Sequence, residues 1–267
     1  MGVTDPGGDL GGHVAGAIRD AAMGVDPFAF IEIQRIFPGA TYAAMLAALP
    51  DARHYRPLWG RHNENRLPDG RCTRLKFELL GEYVMHLPPA QRAVWAAVGA
   101  ALRDRRIRDA FVERFAPALQ RRFGASFRGV GLMPLPTLIR DFPGYTIPIH
   151  PDTPRKVLTV QFYLPADERS AHVGTVFHAR KDGGFARARQ MRFVPNSGYA
   201  FPVMPESFHS VDRLDDSVSE RNSLMLTYYL DDGVLDRVRN RIKRVGSSIG
   251  YEARRLLRPA RLAPQNF

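Results

Sequence analysis

GYTIPIHPDTPRKVLTVQFYLP, Gly144 to Pro165, is the stretch whose reading decides the fold. Its second half alternates, with Val157, Thr159, Gln161 and Tyr163 on one side of a strand and Lys156, Leu158, Val160 and Phe162 on the other, so one set must face an interior. Its first half, Thr146–Ile149, is a second short β run that leads into His150-Pro151-Asp152. If that strand continued through these residues, positions i and i+2 would point the same way. An imidazole and a carboxylate could then reach a single ion.

Further runs of the same character follow the pattern outward: Phe127–Leu135, Gly174–Ala179, Met191–Val194, Tyr199–Val203, Phe208–Val211 and Ser223–Leu230. Gly, Pro, Asp and Asn separate them, and about eight short strands with such punctuation predict an antiparallel sandwich or barrel over residues 125–230. Upstream, Phe28–Phe37 predicts a strand stopped by Pro38-Gly39, and Thr41–Leu49 a short helix. Residues 51–75 have loop composition. Apolar residues at helical spacing predict helices over Gln91–Arg105 and Ile107–Phe123, with Gly124 as a C-cap. Residues 1–25 are Gly-rich and expected to be loose, and Val234–Leu257 returns to helix. The expected architecture is mainly β with flanking helices: one domain over 26–267, its β core near 125–230 and a basic helical segment over 233–267.

Bulk properties exclude several classes. No apolar run approaches the roughly 20 residues that cross a bilayer. Met1 to Met23 lacks the basic and apolar regions of an export signal, and the single Cys72 excludes an internal disulfide framework. A cytoplasmic location is the expectation. The formal net charge is +11, from 38 Lys and Arg against 27 Asp and Glu, which favours anionic partners. Much of the excess lies beyond Gly233, where basic residues far outnumber Asp236 and Glu252. That segment reads as a solvated helix face, or as a peripheral contact with an anionic membrane on the inner face.

His150 and Asp152, joined by His209 in the run Phe208–Val211, form the chemical constellation. Two imidazoles and one carboxylate on one face of an ion are the facial triad that holds Fe(II) and leaves adjacent positions open. His62-Asn63-Glu64 has the same shape, but it sits in loop composition, and His86 follows too soon for several strands to intervene. After His209 comes Arg221-Asn222-Ser223 at a strand start. A buried Arg221 can hold a carboxylate by two parallel N–H···O bonds, and the Ser223 hydroxyl, two positions on, adds a third.

The ordered set of His150-Pro151-Asp152, His209 and Arg221-Asn222-Ser223 resembles the Fe(II)/2-oxoglutarate-dependent oxygenases over roughly residues 125–230. That resemblance implies a double-stranded β-helix, or jelly roll, and a cofactor set of Fe(II), 2-oxoglutarate as co-substrate, and O2. It makes His150, Asp152 and His209 the metal ligands and gives Arg221 and Ser223 the distal carboxylate of 2-oxoglutarate. Thr159, Gln161 and Tyr163, placed inside a barrel, would set polar groups beside the co-substrate. The ligand aspartate points to a hydroxylase rather than a halogenase. Arg140 and Tyr145 are candidate substrate contacts, and the expected substrate is a small anionic metabolite or a glycan- or lipid-linked precursor.

Two alternatives stand beside this reading. A non-redox cupin-like barrel, acting as an isomerase or binding module, would have no need of a dicarboxylate clamp. A nucleic-acid demethylase would carry a second arginine six residues after the first, where this chain has Thr227.

Overall fold

The computed structural model describes residues 8–60 and 64–231, together with Gly233, Val245, Gly246 and Gly250. In chain order its helices are α1 (Leu10–Asp20), α2 (Gly39–Ala47), α3 (Gly81–Val84), α4 (Pro89–Ala101), α5 (Arg105–Arg114) and α6 (Ala116–Phe123). The first strands are β1 (Ala22–Gly24), β2 (Phe30–Gln34), β3 (Arg56–Pro57), β4 (Arg74–Glu78), β5 (Leu132–Asp141) and β6 (Ile147–His150). They are followed by β7 (Lys156–Tyr163), β8 (Val176–Lys181), β9 (Gly184–Gln190), β10 (Ser197–Pro202), β11 (Phe208–Val211) and β12 (Arg221–Leu230).

The strands form two antiparallel sheets. The larger runs β1-β2-β10-β7-β12-β5-β4-β3 and the smaller β6-β11-β8-β9. Among the described residues no strand pairing bridges them, so the predicted sandwich of two sheets is found without a closed barrel. The central pair β7 and β12 shows why. Leu158, Val160 and Phe162 of β7 and Leu224, Leu226 and Tyr228 of β12 bury one face against the helices, where Trp95 and Phe111 meet them. The opposite face turns toward the smaller sheet. There Tyr163, Tyr199 and Phe201 pack with Phe28, Phe30 and Phe177 in a separate aromatic cluster. Each such aromatic contributes roughly 1.5–3 kcal/mol by leaving water, and period-two alternation assigns every strand residue to one layer or the other. No helix among the described residues is long and apolar enough to cross a membrane.

Several elements differ from the sequence-based expectation. Residues 1–25 are not uniformly loose: α1 is capped by Asp9, whose side chain accepts from the Gly12 N–H, and it buries Val14, Ala15 and Ile18. Ile107–Phe123 is not one helix. It breaks between α5 and α6, where Pro117 lacks the N–H that a continuous helix would use. The strand expected at Phe127–Leu135 is a short 3-10 turn at Phe127–Gly129 followed by β5, which runs on to Asp141. Met191–Val194 is not a strand. Beyond β8 the sheet is closed instead by the polar β9, whose arginines suit an edge facing water. β4 lies at the end of the presumed loop and was hidden by its charges. The helix expected over Val234–Leu257 falls almost wholly outside the described residues.

Gly198 is where β10 crowds β7. A Cβ there would run into the Gln161 carbonyl oxygen and lie 3.0 Å from the Phe162 Cα. Overpacking against backbone cannot be relieved by rotating a side chain. Gly198→Ala is therefore expected to destabilise the protein by about 1–3 kcal/mol, read as a lower midpoint in urea unfolding. An unchanged midpoint would show that the two strands are free to part.

Candidate metal centre

Antiparallel pairing of β6 with β11 sets His150 directly opposite His209. The two rings lie 4.4 Å apart, centroid to centroid, and tilted by 48°. His150 Nδ1 is 2.9 Å from the Pro148 carbonyl oxygen and His209 Nδ1 is 3.1 Å from that of Ser207. A carbonyl only accepts, so Nδ1 carries the proton in each ring. Nε2 is left with its lone pair for a metal, and the backbone fixes both the tautomer and the ring orientation.

Asp152 arrives differently from the expected continuous strand. β6 ends at His150, and Pro151 offers no ladder N–H, so the carboxylate comes from the loop that follows. Two groups of β7 hold it: Lys156 Nζ donates to Oδ1 and Thr159 Oγ1 donates to Oδ2, each at 2.5 Å. Asp152 Oδ2 lies 4.0 Å from His209 Nε2. One ligand atom from each of His150, Asp152 and His209 falls within 4.8 Å of the others. Metal–ligand bonds of about 2 Å put neighbouring donors roughly 3 Å apart, so small side-chain rotations suffice to close this set on an ion.

Electrostatics agree with that use. Burial pushes His209 down to about 4, with His150 and Lys156 adding to the effect against the opposing pull of Asp152, so the ring is neutral near pH 7. Burial alone would raise the Asp152 carboxyl. The charges of Lys156 and His209 and the hydrogen bonds from Lys156 and Thr159 outweigh it and hold the group below the usual carboxylate range.

The wall between the sheets is built from β12, β7 and β10. Arg221 is fully buried. Its Nε donates to the Val173 carbonyl oxygen at 2.9 Å and its Nη1 to Asp141 Oδ2 at 2.8 Å. Its guanidinium carbon lies 5.6 Å from the Tyr163 ring centroid and 5.2 Å from that of Phe193. Nη2 has no hydrogen-bond partner. Ser223 Oγ accepts from Gln161 Nε2 at 2.8 Å, while Gln161 Oε1 accepts from the Tyr199 hydroxyl at 2.7 Å. Tyr199 also shares a hydrogen bond with Thr175, whose backbone N–H donates to the Tyr163 hydroxyl. Burial raises both tyrosines, so they stand as neutral phenols.

The sequence-derived residues therefore fall into separate groups. His150, Asp152 and His209 converge. Gln161, Tyr163, Arg221 and Ser223 line the inter-sheet wall, whereas Thr159 is engaged with Asp152 instead. Arg140 neighbours Asp141 on β5 and turns to the opposite face, where its Nε donates to Asn222 Oδ1 and it stacks over Tyr55. That places it under the helical layer rather than in the site. Tyr145 is buried with an unpartnered hydroxyl, beneath the Arg74 guanidinium. His178 is bonded to Ser210 and stands outside the metal set. Of the competing motif, His62 and Asn63 lie outside the described residues. Asp141 as the partner of Arg221, Arg74, Thr175 and the hydroxyl of Tyr199 were not singled out for these roles. Their partners lie far away in sequence, and no local spacing announces them.

No protein-family model matches the chain, and no curated protein sequence matches it. Solved structures do. A prolyl-4-hydroxylase from Pseudomonas putida aligns at a TM-score of 0.50 and 15% identity, over 82% of this chain and 99% of that one. A prolyl hydroxylase from Trichoplax adhaerens, solved with a hypoxia inducible factor oxygen degradation domain peptide, aligns at 0.50 and 11% identity, over 82% of this chain and 89% of that one. At such identities the likeness establishes a shared fold.

Thr159→Val removes the hydroxyl that orients Asp152 while keeping the side-chain shape. Divalent metal affinity, measured by competition with a chromophoric chelator, is expected to fall about 10- to 100-fold with little change in the thermal transition. Unaltered affinity would mean that Lys156 and the loop alone fix the carboxylate.

Proposed function

We propose that this chain is an Fe(II)- and 2-oxoglutarate-dependent oxygenase that hydroxylates a C–H bond of its substrate, releasing succinate and CO2. The observation that carries the reading is the His150-Asp152-His209 set together with a buried guanidinium nitrogen of Arg221, on the inter-sheet face of β12, that has no hydrogen-bond partner. A buried donor left unpaired costs about 1–3 kcal/mol, so Arg221 Nη2 is best explained by an acceptor that a bound molecule brings. The donor set fits a ferrous ion in kind, being two neutral imidazole nitrogens and one carboxylate. The shared fold with prolyl hydroxylases supports the same conclusion.

In this reading His150, Asp152 and His209 hold the iron, and Arg221 with Ser223 receives the distal carboxylate of 2-oxoglutarate. When bound, iron, 2-oxoglutarate and O2 together supply the oxidising power that the side chains lack. The protein supplies placement and dryness. The Arg221 guanidinium is held by Val173 and Asp141, so it meets the co-substrate with little ordering left to do. Gln161, Tyr163 and Tyr199 are neutral donors and acceptors beside it. Phe177 and Phe201 close the space around His209 and exclude water.

The excess of basic residues favours an anionic substrate, a small metabolite or a glycan- or lipid-linked precursor. We take residues 26–267 as one oxygenase domain to which α1 contributes packing. Contact of the basic C-terminal segment with an anionic membrane belongs to residues outside those described. The cupin-like alternative leaves the Arg221 nitrogen without a purpose, and Thr227 stands where the demethylase branch would carry a second arginine.

Adding 2-oxoglutarate to the Fe(II)-loaded protein without oxygen should produce a weak visible absorption band. His209→Ala should abolish it, and in air the wild type should release succinate in a screen of anionic metabolites. A band that persists in His209→Ala would refute the ligand assignment. Wild-type protein that holds iron and never binds 2-oxoglutarate would overturn the function.

A further inference from the structure

Three charged residues lie side by side on adjacent strands. Asp141 of β5 pairs in register with Arg74 of β4 on one side and with Arg221 of β12 on the other. The Arg221 and Asp141 side chains are wholly buried and Arg74 nearly so. Arg221 Nη1 bonds Asp141 Oδ2 at 2.8 Å, whereas Arg74 Nε stands 3.4 Å from Oδ1. Four buried polar atoms at this place have no hydrogen-bond partner: Arg74 Nε, Asp141 Oδ1, Tyr145 Oη and Arg221 Nη2. Arg74 stacks over Tyr145, its guanidinium carbon 4.6 Å from the ring centroid.

The pair Asp141 with Arg221 is formally neutral, and a neutral pair is a poor receptor for a carboxylate. A buried acid beside the one arginine meant to hold an anion would defeat the purpose of that arginine, unless a further cation answered the acid. Arg74 is that cation. We propose that Arg74 is a positioning residue for co-substrate binding: acting through Asp141, it restores the unit of positive charge that Asp141 cancels on Arg221. The row then carries a formal charge of plus one, which a single carboxylate neutralises. Asp141 in turn locks Arg221 in one orientation and keeps Nη2 as the free nitrogen. This inference rests on the oxygenase reading, and it adds to that reading Asp141, which holds Arg221 by a hydrogen bond, and Arg74, which acts on Arg221 through the charge of Asp141.

The test is calorimetric titration of 2-oxoglutarate into the full-length, Fe(II)-loaded protein without oxygen. Arg74→Met makes the row neutral and should weaken binding about 10- to 100-fold, with metal affinity unchanged. Arg74→Lys keeps the charge and should bind within a few-fold of wild type. The double variant Arg74→Met/Asp141→Asn returns the row to plus one and should recover a large part of the loss, an outcome that a purely structural role for Arg74 would not produce. Arg74→Gln serves as the neutral variant if Arg74→Met does not fold. Wild-type-like binding by the neutral variant, a loss in Arg74→Lys as large as in that variant, or a double variant no better than Arg74→Met would each overturn the inference alone. Wild-type protein that holds Fe(II) and gives no heat with 2-oxoglutarate would overturn the oxygenase reading and this inference with it.

Discussion

Everything at the metal centre depends on the antiparallel register that places His150 against His209. The two residues are distant in sequence, and only the short pairing of β6 with β11 brings their rings together. Each ring then directs its Nδ1 proton to the backbone carbonyl two positions earlier in the chain. A one-residue slip in this pairing would turn one ring to the opposite face of the sheet. Phe201 packs on His209 at 5.0 Å and keeps that ring dry, which is why the imidazole stays neutral. The smaller sheet is thus the source of the two imidazoles of the candidate metal centre, and its geometry brings them close together.

The larger sheet contributes by a different route. Its central strands bury aliphatic and aromatic residues against the helices on one face and carry the polar wall on the other. Asp152 is drawn toward that sheet by Lys156 and Thr159, so the carboxylate of the candidate centre is set by β7 and not by the strand that precedes it. The sheet also contains the buried pair Asp141 with Arg221. Removing one partner of such a pair typically costs about 3–5 kcal/mol, since the other is left as an uncompensated buried charge. Here Asp141 and the Val173 carbonyl hold the guanidinium of Arg221 in one orientation.

Much of this was legible in the sequence because it is written in short periods. Alternation along Lys156–Tyr163 and the run through Phe208–Val211 disclosed strands, and the spacing of His150, Asp152, His209, Arg221 and Ser223 disclosed a site. The failures share a physical cause. Gly-rich α1 is held by packing and by the Asp9 cap rather than by helix propensity. β4 and β9 carry charges because they lie at or next to sheet edges, so their sequences lack a conspicuous apolar face. Arg140 and Asp141 adjoin in sequence yet face opposite layers, and only the observed register decides which one reaches Arg221. Long-range pairing is what local pattern cannot report.

The two faces of the larger sheet also bury different kinds of group. On the helical side, Trp95 donates to the Ala48 carbonyl and Arg140 is held by Asn222, while the many aliphatic and aromatic residues around them carry much of the folding free energy. Orphaned groups occur on both sides: Arg221 Nη2, Arg74 Nε, Asp141 Oδ1, Tyr145 Oη and the hydroxyl of Thr227 toward the smaller sheet, and the Tyr228 hydroxyl, Gln91 Oε1 and Arg114 Nε among the helices. What sets the inter-sheet side apart is that three of its orphaned atoms, Arg74 Nε, Asp141 Oδ1 and Arg221 Nη2, belong to one row of charged side chains in register on adjacent strands. Because the two faces share the backbone of β7, β12 and β5, the packing of the helical layer can hold those strands in place while the opposite face presents that row of charges.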